Sequence, residues 1–181
     1  ASDVYKRQLL KLLVGIESPE HGSVMLSDLR YVHNLTPLER SRLIAWVPQN
    51  ADVPFPFSVI DTVMLGRYPW HQGFPGKKDR AAAVTALEVL QIGHLAARSF
   101  DQLSSGEKQL VSIARGLATT TPILLLDEPT SNLDIAASLR LMAILRNLTK
   151  RGISICITMH DIALARNAAD HIIILSHGNV V

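Results

Sequence analysis

Ile123-Leu124-Leu125-Leu126-Asp127-Glu128 is the stretch that decides the fold. Its four apolar residues are continuous rather than alternating, which suits a strand covered by helices on both faces. Two adjacent carboxylates then close it, at the strand edge where α/β sheets bind ligands. Two acids at the end of a core strand are costly unless a cation or a reaction uses them. Asp127 carries the hard oxygens that Mg²⁺ prefers, and Glu128 is placed to orient and polarise an attacking water. A solvated turn accounts for the same two residues, so the pair by itself leaves both readings open.

Outward from this strand, apolar runs alternate with helical periodicity, the pattern of an α/β protein built on a mainly parallel sheet. Toward the N-terminus, residues 105–118 read as a helix opened by Leu103-Ser104-Ser105-Gly106-Glu107. Ser104 or Ser105 can cap it, Gly106 permits close backbone approach, and the N–H groups at its positive end suit a phosphate. Toward the C-terminus, residues 135–148 form an amphipathic helix with Leu141, Leu145 and Leu148 in register. A strand at 153–158, a helix at 162–168 and a last strand at 171–175 follow. Gly178-Asn179-Val180-Val181 resembles the return of a hairpin.

The first half reads as a helix over 9–14 that stops at Gly15, a strand-like segment at 23–26, and a helix from Thr36-Pro37 to Arg42. A strand at 43–47 ends at Pro48. Val53-Pro54-Phe55-Pro56-Phe57-Ser58 is irregular because two prolines remove donors and fix φ. Ser58 caps a helix toward Leu65, residues 68–76 form a loop, and residues 77–90 are helical with Ala83, Leu87 and Leu90 on one face. Residues 59–97 thus make a mostly helical insert.

Hydrophobic residues are 48% of the 181, enough for a sizeable core, and the net charge of +2 gives no electrostatic case for nucleic acid as a partner. No apolar run approaches the roughly 20 residues of a membrane helix, so any membrane link runs through a partner. The one cysteine, Cys156, lies in the apolar run Ile153-Ser154-Ile155-Cys156-Ile157. It reads as a small buried core residue of a reduced, cytosolic protein. The histidines at 21, 33, 71, 94, 171 and 177 lack ligand spacing.

Four elements in order closely resemble the ATP-binding-cassette (ABC) ATPases: Gln49 after a strand, Leu103 to Glu107, the strand ending Asp127-Glu128 followed by Leu133-Asp134, and His160 after the next strand. The resemblance runs from Leu9 to the C-terminus and implies a P-loop NTPase (RecA-like) α/β core with an inserted α-helical subdomain. It divides a single domain, 9–181, into a core (9–57 and 113–181) and a helical subdomain at about 58–112. It also implies ATP and Mg²⁺ as cofactors, a second ATPase subunit in a head-to-tail dimer, and permease subunits that hold the protein on the cytoplasmic face of a membrane.

Residue roles follow from the resemblance alone. Gln49 and Asp127 would hold Mg²⁺, Glu128 would be the catalytic base, and His160 would stabilise the transferred γ-phosphate. Ser104, Ser105, Gly106 and Glu107 form the signature element, which binds the γ-phosphate of ATP held by the opposite subunit. Asp134 would arrange the dimer interface. Ser105 replaces the usual Gly and Glu107 the frequent Gln of that element. Phe55-Pro56-Phe57-Ser58-Val59 and Met64-Leu65-Gly66-Arg67 resemble the subfamily that serves importers of metal chelates (siderophores, haem, cobalamin). A non-transport ATPase of the family, or a non-enzymatic fragment unable to bind ATP, are the alternatives.

The family's phosphate loop ends Gly-Lys-Ser/Thr, and here Tyr5-Lys6-Arg7-Gln8 stands in its register. No glycine precedes Gly15, so the loop that accepts φ > 0 has no residues to form it. The preceding strand and the adenine-stacking aromatic are absent too. Residues 1–8 read as foreign to a truncated gene product, with Lys6 at the lysine position by coincidence.

Overall fold

Residues 44–47, 123–127 and 154–158, three of the segments read as strands, pair as one parallel sheet. The computed structural model describes residues 2–49, 55–71 and 73–181. The irregularity expected at Val53 and Pro54 lies outside them. In chain order the elements are α1 (Ser2–Leu13), α2 (Pro37–Leu43), β1 (Ile44–Val47), α3 (Val59–Met64), α4 (Lys77–Val89) and α5 (Ser105–Ala118). Then come β2 (Ile123–Asp127), α6 (Ile135–Thr149), β3 (Ser154–Thr158), α7 (Ile162–Ala168), β4 (Leu175–Ser176) and β5 (Asn179–Val180).

β2 is the central strand, with Ile44 opposite Ile123 on one side and Asp127 opposite Thr158 on the other. Because strand side chains alternate between faces, Leu124 and Leu126 enter one core and Leu125 another. The larger core joins Ala45, Val47, Leu124 and Leu126 to α3, α4, α5, α6 and α7. The smaller gathers Leu10, Val32, Ile44 and Leu125, and it seats α1 against the opposite face of the sheet. Leu126 and Leu10 are 0% and 1% exposed, each stabilising by about 1.5–3 kcal/mol relative to exposure. Two faces covered by helices thus explain why β2 carries no alternation.

Caps fix where helices begin. Thr36 accepts from the Glu39 N–H and Glu39 returns a carboxylate to Thr36, so α2 opens with a reciprocal capping box and Pro37 inside it. Ser58 caps α3 and Asp134 caps α6 through the Ala137 N–H. The buried residues of α6 include Leu141, Leu145 and Leu148, the stripe its periodicity requires. No described helix is long and apolar enough to cross a membrane.

Four expectations are corrected. Helix α1 begins at Ser2 rather than at Leu9 and runs unbroken through Lys6 and Arg7 to Leu13. The strand-like segment at 23–26 makes only an isolated antiparallel bridge, Met25 to Tyr31. Residues 171–174 form no strand: Ile172, Ile173 and Ile174 are exposed and have no ladder, and only Leu175–Ser176 pairs, in a hairpin with Asn179–Val180. An apolar run becomes a strand only where a neighbour offers its backbone. Cys156 is exposed rather than buried. β3 is an edge strand whose Ile155 and Ile157 turn into the larger core, which directs Cys156 to the side that α1 leaves uncovered.

Candidate functional site

The parallel register sends the C-terminal ends of β1, β2 and β3 to one edge, where Gln49, Asp127, Glu128, Thr158 and His160 meet. Asp127 and Glu128 are 3% and 8% exposed. The Thr158 hydroxyl donates to Asp127 Oδ1 at 2.7 Å, and the Glu128 N–H lies 3.1 Å from both the hydroxyl and the carbonyl oxygen of Thr158. That double anchor holds Glu128 at φ 50°, in the left-handed region that costs a side-chain-bearing residue about 1–2 kcal/mol. Strain of this kind persists where surrounding contacts over-determine it, and it clusters at functional sites. The turn after the strand therefore aims the Glu128 carboxylate across the sheet edge.

That carboxylate is bound on both oxygens. Gln49 donates from Nε2 to Oε2 at 2.9 Å, and His160 Nε2 lies 2.6 Å from Oε1. Lys6 Nζ lies against the same imidazole, 3.1 Å from Nδ1 and 3.3 Å from Nε2. Lys6 Nζ also stands 3.8 Å from Glu128 Oε1. Arg7 donates from Nε to Asp127 Oδ2 and from a terminal nitrogen to Gln49 Oε1, both at 2.7 Å. Charge-assisted bonds of that length are strong when a carboxylate is desolvated.

The structure brings the sequence-predicted Gln49, Asp127, Glu128 and His160 together and adds three neighbours, Thr158, Lys6 and Arg7. Thr158 had a legible signal, a hydroxyl residue ending a strand two positions before His160. For Lys6 the signal is its place at the lysine position of the phosphate-loop register; Arg7 has none, because only the packing of α1 on β2 carries it to Asp127.

The signature element sits apart from this cluster. Ser104 caps α5, accepting from the Glu107 N–H, while the Glu107 carboxylate takes the Ser104 N–H and hydroxyl at 2.8 Å each. Those two bonds, with Arg98 3.3 Å away, hold the Glu107 carboxyl below the usual glutamate range. Ser105 is the first residue of the helix. Gly106 packs against the segment before α6: a Cβ there would lie 3.0 Å from the Asn132 carbonyl oxygen and 3.4 Å from Leu133. Close approach, not a positive φ, is what the glycine provides. Asp134 is engaged as the α6 cap. A cleft of about 440 Å³ between α6 and α7 is lined by Glu128, Ser131, Leu133, Ser138 and His160 among others.

Two ligands expected for Mg²⁺ are already engaged. Asp127 Oδ2 and Gln49 Oε1 both accept from the Arg7 guanidinium, and Asp127 Oδ1 is taken by Thr158. Mg²⁺ takes direct oxygen ligands at 2.0–2.1 Å, and these oxygens already carry N–H and O–H donors. As the chain folds here, the residues present do not fit the ion.

Comparison with known proteins supplies the family context. A family model described as ABC transporter matches residues 6–131. An uncharacterized ABC transporter ATP-binding protein of Haemophilus influenzae is 39% identical over 178 residues, covering 97% of this chain and 67% of its own length. A hemin import ATP-binding protein of Thermobifida fusca is 39% identical over 175 residues, covering 97% of this chain and 61% of its own. Among solved structures, an inward-facing transporter assigned to the metal-chelate type superposes with a TM-score of 0.82 at 33% identity, over 97% of this chain and 66% of that one. The chain thus spans about two thirds of the length of these relatives.

Proposed function

The chain belongs to the ABC transporter family, and we propose that it is part of an ATP-hydrolysing subunit that drives import of a metal chelate. Its fold is that of the ABC ATPase cassette, a P-loop NTPase core. The observation that carries the reading is the convergence of Gln49, Asp127, Glu128 and His160 at one sheet edge, around a carboxylate held in a strained, aimed conformation.

In the assembled transporter Glu128 orients the attacking water and accepts its proton, and His160 steadies the transferred phosphoryl group. Gln49 links this centre to the helical insert at about 58–112. Ser104, Ser105, Gly106 and Glu107 face the nucleotide of a second subunit, and Asp134 fixes the segment that Gly106 packs against. The permease docks on the exposed aromatic pair Phe55 and Phe57, which lies between Gln49 and the insert. The chelate class (siderophore, haem or cobalamin) is what that segment resembles, and a hemin import relative and a structure of the metal-chelate type support a metal chelate.

By itself the chain does not hold ATP usefully. Residues 5–8, in register with the phosphate loop, are interior to α1, and helical N–H groups are spent on the helix rather than directed at a phosphate. Nucleotide titration of the chain should show no saturable ATP binding in the micromolar range; saturation there would refute this part. Transport by a strain lacking the gene tests the rest. Uptake of one class of iron chelate or of cobalamin should fail, and normal uptake of all of them would reject import. Hydrolysis by the assembled transporter should collapse in Glu128→Gln, and unchanged turnover would remove Glu128 from its role.

A further inference from the structure

We propose that α1 supplies the carboxylate cluster with its own cation, so that seating of Arg7 and binding of a divalent metal at Asp127 exclude one another. The inference rests on the reading of Asp127 and Gln49 as cation ligands. Arg7 lies 2.7 Å from an oxygen of each, spanning the two groups as a bound ion would. A guanidinium forks in a plane and can satisfy two oxygens at once. Asp127 is nearly fully buried, so its charge needs a close partner, and a buried carboxylate left unpaired is strongly destabilising.

The apolar side of α1 fixes the charges in place. Leu10, three residues after Arg7 and four after Lys6, lies on the same helix face and is buried against Val32, Ile44 and Leu125. Seating that leucine delivers Arg7 to Asp127 and Lys6 to Glu128 and His160. A divalent ion entering at Asp127 would displace the guanidinium from both oxygens and meet two positive side chains. It could enter only if Arg7 swung out or α1 lifted from β2. The chain folds with the cluster neutralised from within, and the pairs replace the ion rather than prepare for it.

Manganese, a paramagnetic divalent probe, tests this on the full chain by electron paramagnetic resonance of the free ion. Arg7→Met should bind manganese at least about tenfold more tightly than the unaltered chain, because a repelling charge is gone. Arg7→Lys, which keeps the charge, should stay near the unaltered value, and adding Asp127→Asn to Arg7→Met should abolish the gain. Equal, Asp127-dependent binding by the unaltered chain and Arg7→Met overturns the exclusion while leaving Asp127 a metal ligand. Absence of binding in both overturns the exclusion together with that reading. A measurement on the unaltered chain covers the case of an unstable variant. Millimolar manganese should broaden the amide signals of Glu128 and Thr158 no more than those of remote surface residues, and selective broadening there refutes the proposal.

Discussion

Replacing Thr158 by valine keeps the shape of the β3 terminus and removes one hydroxyl. That oxygen donates to Asp127 Oδ1 at 2.7 Å and receives the Glu128 N–H at 3.1 Å. Glu128 retains the Thr158 carbonyl, also at 3.1 Å, so the loss falls mainly on Asp127. A hydrogen bond to a charged group contributes about 1.5–3 kcal/mol, and an isosteric change adds no cavity term. Taking about 2 kcal/mol, and about 2–4 °C per kcal/mol for a domain of this size, the thermal midpoint should fall by about 4–8 °C. Urea denaturation should give the same loss with an unchanged slope. Thr158→Ser, which keeps the hydroxyl, should lose only about 1 kcal/mol, the order of one buried methyl group. A valine variant within about 0.5 kcal/mol of the unaltered chain, the scatter of an ordinary surface change, would rule out a stabilising bond from the hydroxyl to Asp127. Serine costing more than valine would rule it out too, because packing rather than the hydroxyl would then hold the site.

Gly66→Ala should destabilise by at least about 3 kcal/mol, the upper end of ordinary overpacking, because its Cβ would stand 2.1 Å from the Arg115 carbonyl oxygen on α5. Gly93→Ala meets nothing within 4 Å and should be neutral or slightly stabilising in the same urea titration. Asp134→Ala removes the cap of a 15-residue helix and should cost about 0.5–2 kcal/mol; an unchanged midpoint would show that Asp134 does not cap in solution. The Glu107 carboxyl is lowered in the folded chain by the Ser104 N–H and hydroxyl. Its stabilisation is therefore complete above the ordinary glutamate range and lost as pH falls through the lowered folded value, below about pH 4.3. The midpoint difference between the unaltered chain and Glu107→Gln should close in that window, and a difference constant down to about pH 3 would contradict it.

Local pattern determined a large part of this protein. The run from Ile123 to Leu126 is a buried parallel strand because its composition tolerates no wet face. Thr36, Ser58 and Ser104 open helices because a hydroxyl beside an N-terminal turn satisfies an N–H that the helix cannot. The meeting of Gln49, Asp127, Glu128 and His160 was legible for a related reason. Each polar residue stands at the end of, or just beyond, an apolar strand, and a parallel sheet brings such ends to one edge.

Only the tertiary structure decided the rest. The isoleucines at 172–174 have a strand's composition and no strand beside them. Cys156 shares an apolar run with residues that turn inward and itself lies exposed, since sequence does not say which strand is the edge. Lys6 and Arg7 stand in a segment whose sequence reads as foreign to the domain, and only the burial of Leu10 sets them at the sheet edge. They then lie against carboxylates more than a hundred residues away. Caps and periodicity act across three or four residues and are written in the chain at that range. Pairings across so long a separation depend on which surfaces pack, which is settled only when the two cores close on the sheet.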